Sequence, residues 1–377
     1  MPRDILIAVV GTLGGGIVGV VAGVLFEDVL RQRLERVKKW RLRQHGEREI
    51  ARAANMPVTF GDTFSFGSLK TTIFLVDGNG ETPFRRSNIK ILLSQDPVEF
   101  PEELRTFKHE VELRERRKKR EGQQHLWNGA NYAVRSCAVT RTGLTEESEM
   151  RLGLQPSDYY NFLAAKESLD TFIPKYGKTV REYYLDPFYW NRPVPFLSSS
   201  FGVNVVLITA DDQLVVCKRS ELVGSRPLEY TVSANEGLSR GIDDAGGNPP
   251  DLYECGYRAL REELGIEKDE VDHLDMLAFI IDLQWHQWGC LGRANLGELT
   301  YPELRDRYNR APKDKFENIE LDHVVFAPKP VAQYVLDRSR RDQWYGGAPA
   351  SFYLSLVASH GRHAVERAIK EADKQRD

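Results

Sequence analysis

The chain has 377 residues, of which 41% are hydrophobic and 28% are charged, a composition that is ordinary for globular protein and long enough for two domains. A formal net charge of -3 gives no general case for nucleic-acid binding, so no DNA or RNA duplex is expected as a partner. The four cysteines lie far apart and the eight histidines form no HExxH pattern, which argues against a disulfide framework or a motif-type metal centre and favours a reducing compartment.

Residues 5–26 form a stretch of 22 residues that is apolar throughout apart from Thr12. As a helix this stretch would be about 33 Å long, which is enough to cross a bilayer core. We therefore predict a retained single-pass transmembrane helix over residues 1–26. The alternative, a cleaved secretory signal, would have a shorter apolar region and a clear small-residue cleavage site.

Basic residues cluster directly after this stretch, whereas only Arg3 and the terminal amine precede it. The positive-inside rule then places the rest of the chain in the cytoplasm. Residues 27–55 predict a basic juxtamembrane helix that would contact anionic lipid headgroups. The basic residues nearest the apolar stretch are Arg31, Arg33, Arg36, Lys38, Lys39, Arg41 and Arg43.

Glycines recur at every fourth position of the predicted transmembrane helix, at Gly11, Gly15, Gly19 and Gly23. On a helix they form one flat stripe, which lets two backbones approach closely. Glycine is also frequent in membrane helices that do not associate. The strict spacing nevertheless favours a homo-oligomer that forms through this helix, because a simple tether needs no such face.

The soluble part of the sequence divides into two predicted regions. Residues 56–128 predict a small β-rich module with one helix. Residues 129–377 predict one α/β domain, since short strands, a mixed sheet and a helix that follows a glycine-rich loop are typical of an α/β/α sandwich. The predicted strands are Lys70–Val76, Ile89–Leu93, Ala133–Thr140, Val203–Thr209, Leu214–Arg219, Met276–Trp285 and Asp322–Phe326. The predicted helices are Pro101–Arg120, Pro156–Leu169, Asp251–Ile266 and two that close the chain.

The helix Asp251–Ile266 is the most informative stretch. Asp251 and Glu254 predict an N-cap with a capping box, and Gly265 predicts the C-terminal stop. Glu262 and Glu263 place two adjacent carboxylates at the end of this helix, where they could bind Mg²⁺. The simpler alternative is a solvated helix whose charges form ion pairs.

The motifs around this helix resemble the Nudix superfamily. They are a hairpin that ends in Lys218-Arg219-Ser220, then Glu236-Gly237, and then the run R-x-L-x-E-E-L-G-I. The Nudix motif is G-x5-E-x7-R-E-U-x-E-E-x-G-U, where U is aliphatic. The resemblance covers about residues 130–335 and implies a Nudix fold. The residues that match the second half of the motif are Arg258, Leu260, Glu262, Glu263, Gly265 and Ile266.

Departures from the Nudix motif affect the chemistry that the resemblance implies. Nudix hydrolases cleave a nucleoside diphosphate linked to another group, with several divalent metals and an activated water. The carboxylate that should follow the arginine is Ala259 here, so one corner of the expected metal cage is lost. The first half of the motif is stretched: if Gly237 is its leading glycine, Asp243 takes the next carboxylate's place. Glu262 and Glu263 could still bind one metal with help from Glu317 or Glu320. We expect weakened or lost hydrolysis with the nucleotide pocket retained.

The resemblance also suggests which residues would bind a ligand. Arg219 and Ser220 follow the hairpin and could contact phosphate, although a sheet-edge ion pair is an equally good explanation for Arg219. A base could stack on a tryptophan near the end of an apolar strand, where structural packing is the commoner use of such rings. The predicted ligand-binding residues are Arg219, Ser220, Glu236, Arg240, Arg258 and Trp285, with His286 and Trp288 close to Trp285.

One apolar helix ahead of a degenerate Nudix domain resembles the transmembrane–Nudix effectors of bacterial CBASS anti-phage signalling. The resemblance implies a domain that senses a nucleotide second messenger, such as a cyclic oligonucleotide, and membrane helices that then assemble and disrupt the inner membrane. Two other functions stay open: a membrane-anchored Nudix hydrolase of a nucleoside diphosphate derivative, such as a nucleotide sugar, and a scaffold whose fold serves only protein contacts.

Overall fold

The computed structural model describes residues 63–142, 147–185, 190–221, 223, 226–244, 248–310 and 318–375. Residues Asp62–Asp377 form one compact unit. The predicted transmembrane and juxtamembrane helices, together with the four-glycine ladder, lie outside the described residues. Within the described ranges, no helix combines the length and the apolar character that a membrane span requires.

Strands and helices alternate along the described chain. The strands are β1 (Thr63–Phe66), β2 (Leu69–Asp77), β3 (Ile89–Leu93), β4 (Ala130–Thr142), β5 (Glu147–Asp158), β6 (Phe172–Ile173), β7 (Lys178–Thr179), β8 (Phe201–Ile208), β9 (Gln213–Arg219), β10 (Tyr230–Thr231), β11 (Ala234–Gly237), β12 (Val271–Asp282), β13 (Gln287–Leu296) and β14 (Asn318–Val325). The α-helices are α1 (Arg105–Arg120), α2 (Tyr159–Ser168), α3 (Val180–Tyr184), α4 (Leu252–Leu264), α5 (Tyr301–Arg310), α6 (Pro328–Val335), α7 (Gly347–His360) and α8 (Arg362–Lys374).

A nine-stranded mixed sheet, called here the main sheet, forms the centre of the fold. Its strand order is β1-β2-β12-β13-β8-β9-β10, with β11 also paired to β8 and β14 to β9. Strands β8 and β13 are parallel, whereas the β2–β12, β12–β13 and β9–β14 pairs are antiparallel. The prediction of a mixed sheet in an α/β fold is confirmed.

Helices cover both faces of the main sheet, and adjacent residues of β8 show this directly. Val205 faces α4, since its Cγ2 atom lies 3.7 Å from the position that a Cβ on Gly256 would take. Val206 points to the other face, where it belongs to one apolar cluster with Phe352 and Leu356 of α7. Alternate side chains of a strand point to opposite faces, so the sheet lies between two helical layers.

The first two strands extend the main sheet rather than forming a sheet of their own. They belong to the region predicted as a β-rich module, yet β2 pairs with β12, where Ile280 lies opposite Leu75. The main sheet therefore draws strands from both predicted soluble regions. The sequence could not show this pairing because β2 and β12 are about two hundred residues apart in the chain.

A second sheet, β3-β5-β4, packs with α1 and α2 beside the main sheet. Its parallel pair is β3–β5, and β4–β5 is antiparallel. The apolar core of this region includes Leu104 and Val111 from the α1 side and Phe162 and Leu163 from α2. The region forms a separate apolar core, which positions α2 and the start of β4 beside the main sheet.

Helix α4 begins and ends where its sequence predicts. Asp251 accepts hydrogen bonds from the backbone N–H groups of Tyr253 (2.8 Å) and Glu254 (3.4 Å). Gly265 ends the helix with φ of 70°, a left-handed conformation that glycine adopts without a Cβ clash. The expected capping box differs, because the Glu254 carboxylate binds Lys268 Nζ at 2.7 Å instead of its own helix end.

Acidification should destabilise the fold through His286, which is buried in the turn between β12 and β13. Burial, followed by the nearby Arg181, lowers the pKa of His286 from 6.5 to about 3. As the pH falls below 6.5, His286 becomes protonated in the unfolded chain but stays neutral in the folded chain. The free energy of unfolding therefore decreases. We expect a loss of about 2 kcal/mol between pH 7.5 and about pH 5.

Urea denaturation at these two pH values would measure this loss in the wild type and in His286→Asn. Asparagine tolerates the left-handed backbone at this position, where φ is 52°. The variant should lack the His286 contribution while it keeps the contributions of the carboxylates. An equal loss of stability in both proteins would show that His286 does not cause it.

Candidate functional site

An open pocket of about 370 Å³ lies between the main sheet and the second sheet. Strands β8, β11 and β13 supply its floor, where Asn204, Glu236 and Trp288 line it. The opposite wall comes from α2 and from the segment that leads into β4. Ligand pockets in proteins have about this size or more, so a small organic molecule fits.

Hydrogen bonds join the two sheets at one side of this pocket. The backbone N–H of Arg240 donates to the carbonyl of Ala130 at 3.0 Å, and Asn131 forms a bridge with Ser239. The hydroxyl of Tyr132 also donates to Asp244 at 2.5 Å. The glycine-rich loop after β11 is thereby held against the start of β4, which fixes the width of the pocket on this side.

Aromatic rings line a large part of the pocket surface. Tyr159 and Phe162 contribute from α2, Trp288 from β13 and Tyr345 from the segment before α7. Trp127 contributes from the segment between α1 and β4. Rings of this kind present flat apolar faces, which suit planar heterocycles.

Arg226 is the most strongly held cation of the pocket. It forms a buried ion pair with Asp282 and a second contact with Glu229 at 3.4 Å. Its guanidinium carbon lies 4.1 Å from the ring centroid of Trp285 and 4.9 Å from that of Tyr345. Burial lowers the pKa of Arg226, but Asp282 and Glu229 outweigh it and keep the pKa above its ordinary value. Arg226 is therefore a permanent, oriented positive charge.

Two further cations lie near Arg226. Arg219 lines the pocket at the end of β9, where its backbone N–H donates to the carbonyl of Glu229 at 2.9 Å. Lys166 places its Nζ atom 4.1 Å from the ring centroid of Trp285. Burial, followed by repulsion from Arg226, lowers the pKa of Lys166 to about 8. Of these cations, Arg219 and Arg226 belong to the pocket lining, where their guanidinium groups can donate to an anionic ligand.

Arg258 ties α4 to the glycine-rich loop and has little access to solvent. Its Nε and Nη2 atoms donate to the two carboxylate oxygens of Asp243 at 3.1 and 2.8 Å, and Nη2 also donates to the carbonyl of Gly237 at 2.9 Å. Its Nη1 atom lies 3.1 Å from the carboxylate of Glu236. The motif arginine thus has a positioning role beneath the pocket.

Glu263 is a buried carboxylate of α4 that bonds to two strands. One carboxylate oxygen accepts the backbone N–H of Asn235 at 2.6 Å, and the other accepts Asn318 Nδ2 at 3.1 Å. These bonds link α4 to β11 and to β14. Because both oxygens are engaged, Glu263 acts here as a structural acceptor.

The carboxylates near α4 do not fit a divalent-metal cage. Glu262 lies 3.8 Å from Arg258 Nη1 and 3.6 Å from Arg261 Nη2, and Ala259 is fully buried where the motif has a carboxylate. Within the described ranges, no three His, Cys, Asp or Glu side chains are grouped to hold a metal. Glu317 lies outside the described residues, and Glu320 lies opposite Lys218 in the β14–β9 pair. We assign no catalytic step to Mg²⁺.

The predicted ligand-binding residues fall into two groups. Arg219 and Glu236 line the pocket, as does Trp288. Ser220, Arg240, Arg258 and Trp285 do not line it, and nor do Glu262 and Glu263. Trp285 acts on the pocket indirectly, since its ring supports the guanidinium of Arg226.

Several pocket residues were not among the predicted ligand-binding residues. Arg226, Asn204 and Asn235 lie outside the motif, and the two aromatic residues of α2 read as ordinary core positions. Strand β8 is a nearly continuous apolar run, and Asn204, which interrupts its valines, was a usable sign. A polar residue inside a buried strand needs a hydrogen-bond partner, and Asn204 has one in the carbonyl of Cys290 at 3.3 Å.

Solved structures that are similar to parts of this chain include the following two. DR0079 from Deinococcus radiodurans is 17% identical, with a TM-score of 0.27, and covers 37% of this chain and 73% of its own. The MutT protein from Methanosarcina mazei Go1 is 16% identical, with a TM-score of 0.26, and covers 46% of this chain and 94% of its own. The chain matches no protein-family model and no curated protein.

Proposed function

We propose that the soluble unit of this chain is a Nudix-like domain that binds a nucleotide derivative without metal-dependent hydrolysis. The observation that carries the proposal is the pocket of about 370 Å³, whose lining includes several aromatic rings and two arginines. A nucleotide carries a planar base and an anionic phosphate, so its two ends match these two kinds of side chain. Arginine is well suited to phosphate because its planar fork donates two parallel hydrogen bonds.

Two positions of the motif support the absence of metal-dependent hydrolysis. Metal-assisted hydrolysis of a diphosphate needs carboxylates that are free to bind the ion. Glu263 is engaged by Asn235 and Asn318, and Ala259 offers no oxygen. The Glu263 contacts hold β11 and β14 in place, and Arg258 holds the glycine-rich loop through Asp243. A motif that no longer binds metal would therefore still shape the pocket.

The binding proposal can be tested on the full-length protein purified in detergent. Mass spectrometry of small molecules released on denaturation would identify a retained ligand. Calorimetric titration would follow with nucleoside monophosphates and diphosphates, ADP-ribose and cyclic di- and trinucleotides, with and without Mg²⁺. We expect Mg²⁺-independent binding of at least one nucleotide without turnover. Absence of binding across the whole set would contradict the proposal, and the scaffold function would then remain.

A second candidate function is the membrane-anchored hydrolase, which the intact E-E-L-G-I run favours. Its distinguishing result is Mg²⁺-dependent turnover of a nucleoside diphosphate derivative that Glu262→Gln abolishes. Glu262 suits this test because its side chain keeps some exposure, whereas Glu263 is buried and its replacement would also disturb folding.

The effector part of the proposal concerns residues 1–55. We propose that ligand binding to the soluble unit drives association of the predicted transmembrane helices and disruption of a bacterial inner membrane. The glycine ladder and the basic residues that follow it support this idea. Ligand would have to bind the associated state more tightly than the resting state, since only differential affinity shifts such an equilibrium.

Replacing Gly15 and Gly19 with leucine should abolish ligand-dependent dye release from vesicles that contain the full-length protein. The larger side chains would keep the helix backbones apart, while nucleotide affinity should stay unchanged. Gly14→Leu is the matched control, because Gly14 lies about 100° around the helix from Gly15 and about 140° from Gly19. Full dye release by the Gly15 and Gly19 variant would show that helix association through the ladder is not required.

A further inference from the structure

Trp127 is the most exposed of the large apolar side chains in the described residues, at 76%, and it lines the rim of the pocket. It lies on the segment between α1 and β4, which has no regular secondary structure. Tryptophan is buried on average, so such an exposed ring calls for a physical reason. Mobility of the segment around Trp127 would be one reason, but the hydrogen bonds of the neighbouring residues argue against mobility.

The residue before Trp127 is anchored by a buried carboxylate. The backbone N–H of Leu126 donates to Glu115 at 2.9 Å, and the carbonyl of Leu126 accepts the hydroxyl of Tyr160 at 2.9 Å. Glu115 is itself almost fully buried and is paired with Arg114 at 3.0 Å and Lys118 at 2.8 Å. A buried charge is tolerated only with such partners, so the position of Leu126 is well determined.

The residues after Trp127 are anchored to the start of α2. Asn128 accepts the backbone N–H of Tyr160 through its side-chain oxygen at 2.8 Å. The carbonyl of Gly129 accepts the backbone N–H of Tyr159 at 2.9 Å. Trp127 is therefore fixed at both flanks, and its ring is exposed because the surrounding backbone presents it at the pocket rim.

We infer that Trp127 is a ligand-binding residue whose indole ring stacks on the base of the nucleotide in this pocket. The inference rests on the proposed function and assigns it a residue from the second sheet's region, outside the motif. A fixed aromatic face loses little conformational entropy on binding, which is the general advantage of a preorganised site. Stacking is tolerant of base identity because every base presents a π face. The ligand must then extend from the arginines to the rim.

Calorimetric titration of the full-length protein in detergent tests this role with AMP, GMP, ADP and ribose 5-phosphate. Ribose 5-phosphate keeps the phosphate but has no base. Trp127→Ala should weaken nucleotide affinity about 10-fold or more and leave ribose 5-phosphate affinity unchanged. Trp127→Phe should retain most of the nucleotide affinity. Phe172→Ala is the matched control, since Phe172 is 58% exposed and does not line the pocket.

Each other outcome would overturn the inference in a distinguishable way. Unchanged nucleotide affinity in Trp127→Ala, with a wild type that binds, would remove the stacking role and leave the proposed function intact. An equal loss for nucleotides and ribose 5-phosphate would show a role in pocket shape rather than stacking. Changed self-association or lipid binding without changed nucleotide affinity would identify the ring as a contact surface. A wild type that binds neither these nucleotides nor the ADP-ribose and cyclic nucleotides of the first titration would remove both proposals.

Discussion

Arg258→Ala should lower the free energy of unfolding by about 3–5 kcal/mol, which is the usual effect of removing one partner from a buried ion pair. Arg258 is 7% exposed and Asp243 is buried beside it, so the variant would leave an uncompensated carboxylate in a poorly solvated position. It would also remove the donor to the Gly237 carbonyl. Urea denaturation of the full-length protein, followed by near-UV circular dichroism, would measure the loss.

Arg261→Ala is the matched control on the same helix. Arg261 is 52% exposed and its nearest carboxylate oxygen lies 3.6 Å away on Glu262, so its loss should change stability by about 0.5 kcal/mol or less. Nearly equal stabilities of the two variants would refute the positioning role of Arg258. If Arg258→Ala instead lost nucleotide binding at unchanged stability, the prediction from the sequence that Arg258 binds ligand would be favoured.

Local sequence signals predicted the motif helix well because its ends depend on neighbouring residues. Asp251 and Gly265 act within one turn of their own positions, so cap and stop are visible without knowledge of the fold. The strand Ile89–Leu93 was also predicted with its observed bounds, since β-branched and apolar residues mark it. The class of the sheet followed from the order of such elements.

Contacts between distant residues explain what the sequence could not give. Asp282 is held by Thr72 Oγ1 at 2.7 Å and by Arg226, which are separated from it by 210 and 56 positions. No local pattern reports such a pairing, so Arg226 had no sign of its pocket position. The partner of Arg258 was equally hidden, because Asp243 lies 15 positions away in a loop whose length departs from the motif. Arg258 was therefore predicted as a ligand contact.

The role of Trp127 was missed because exposure is a property of the folded chain. A single tryptophan between a charged helix and a strand predicts core packing on average. Two features of the folded chain indicate a ligand-binding ring instead of a core ring. They are the anchored backbone on both sides of Trp127 and its place on the pocket rim. The pocket is therefore built from residues of several elements, to which the motifs contribute Arg219, Glu236 and Gly237.

Arg226→Ala should reduce both stability and nucleotide affinity, and this combination would identify Arg226 as part of the binding site. The variant leaves Asp282 buried without its cation, so we expect a loss of about 3–5 kcal/mol in the free energy of unfolding. It also removes a charge-assisted donor to the phosphate, which is typically worth about 1.5–3 kcal/mol and corresponds to a loss in affinity of about 10-fold to 100-fold.

Arg293→Ala separates the two effects, because Arg293 is also a buried arginine in an ion pair and does not line the pocket. Its Nη2 atom lies 2.7 Å from Asp275. We expect Arg293→Ala to lose less stability than Arg226→Ala, because the side chain of Asp275 is 23% exposed, and to bind nucleotide with wild-type affinity when both variants are measured where they are fully folded. If Arg226→Ala also kept full affinity, the arginine would serve only the fold. The anion would then have to be bound by Arg219, and Arg219→Ala would show the loss instead.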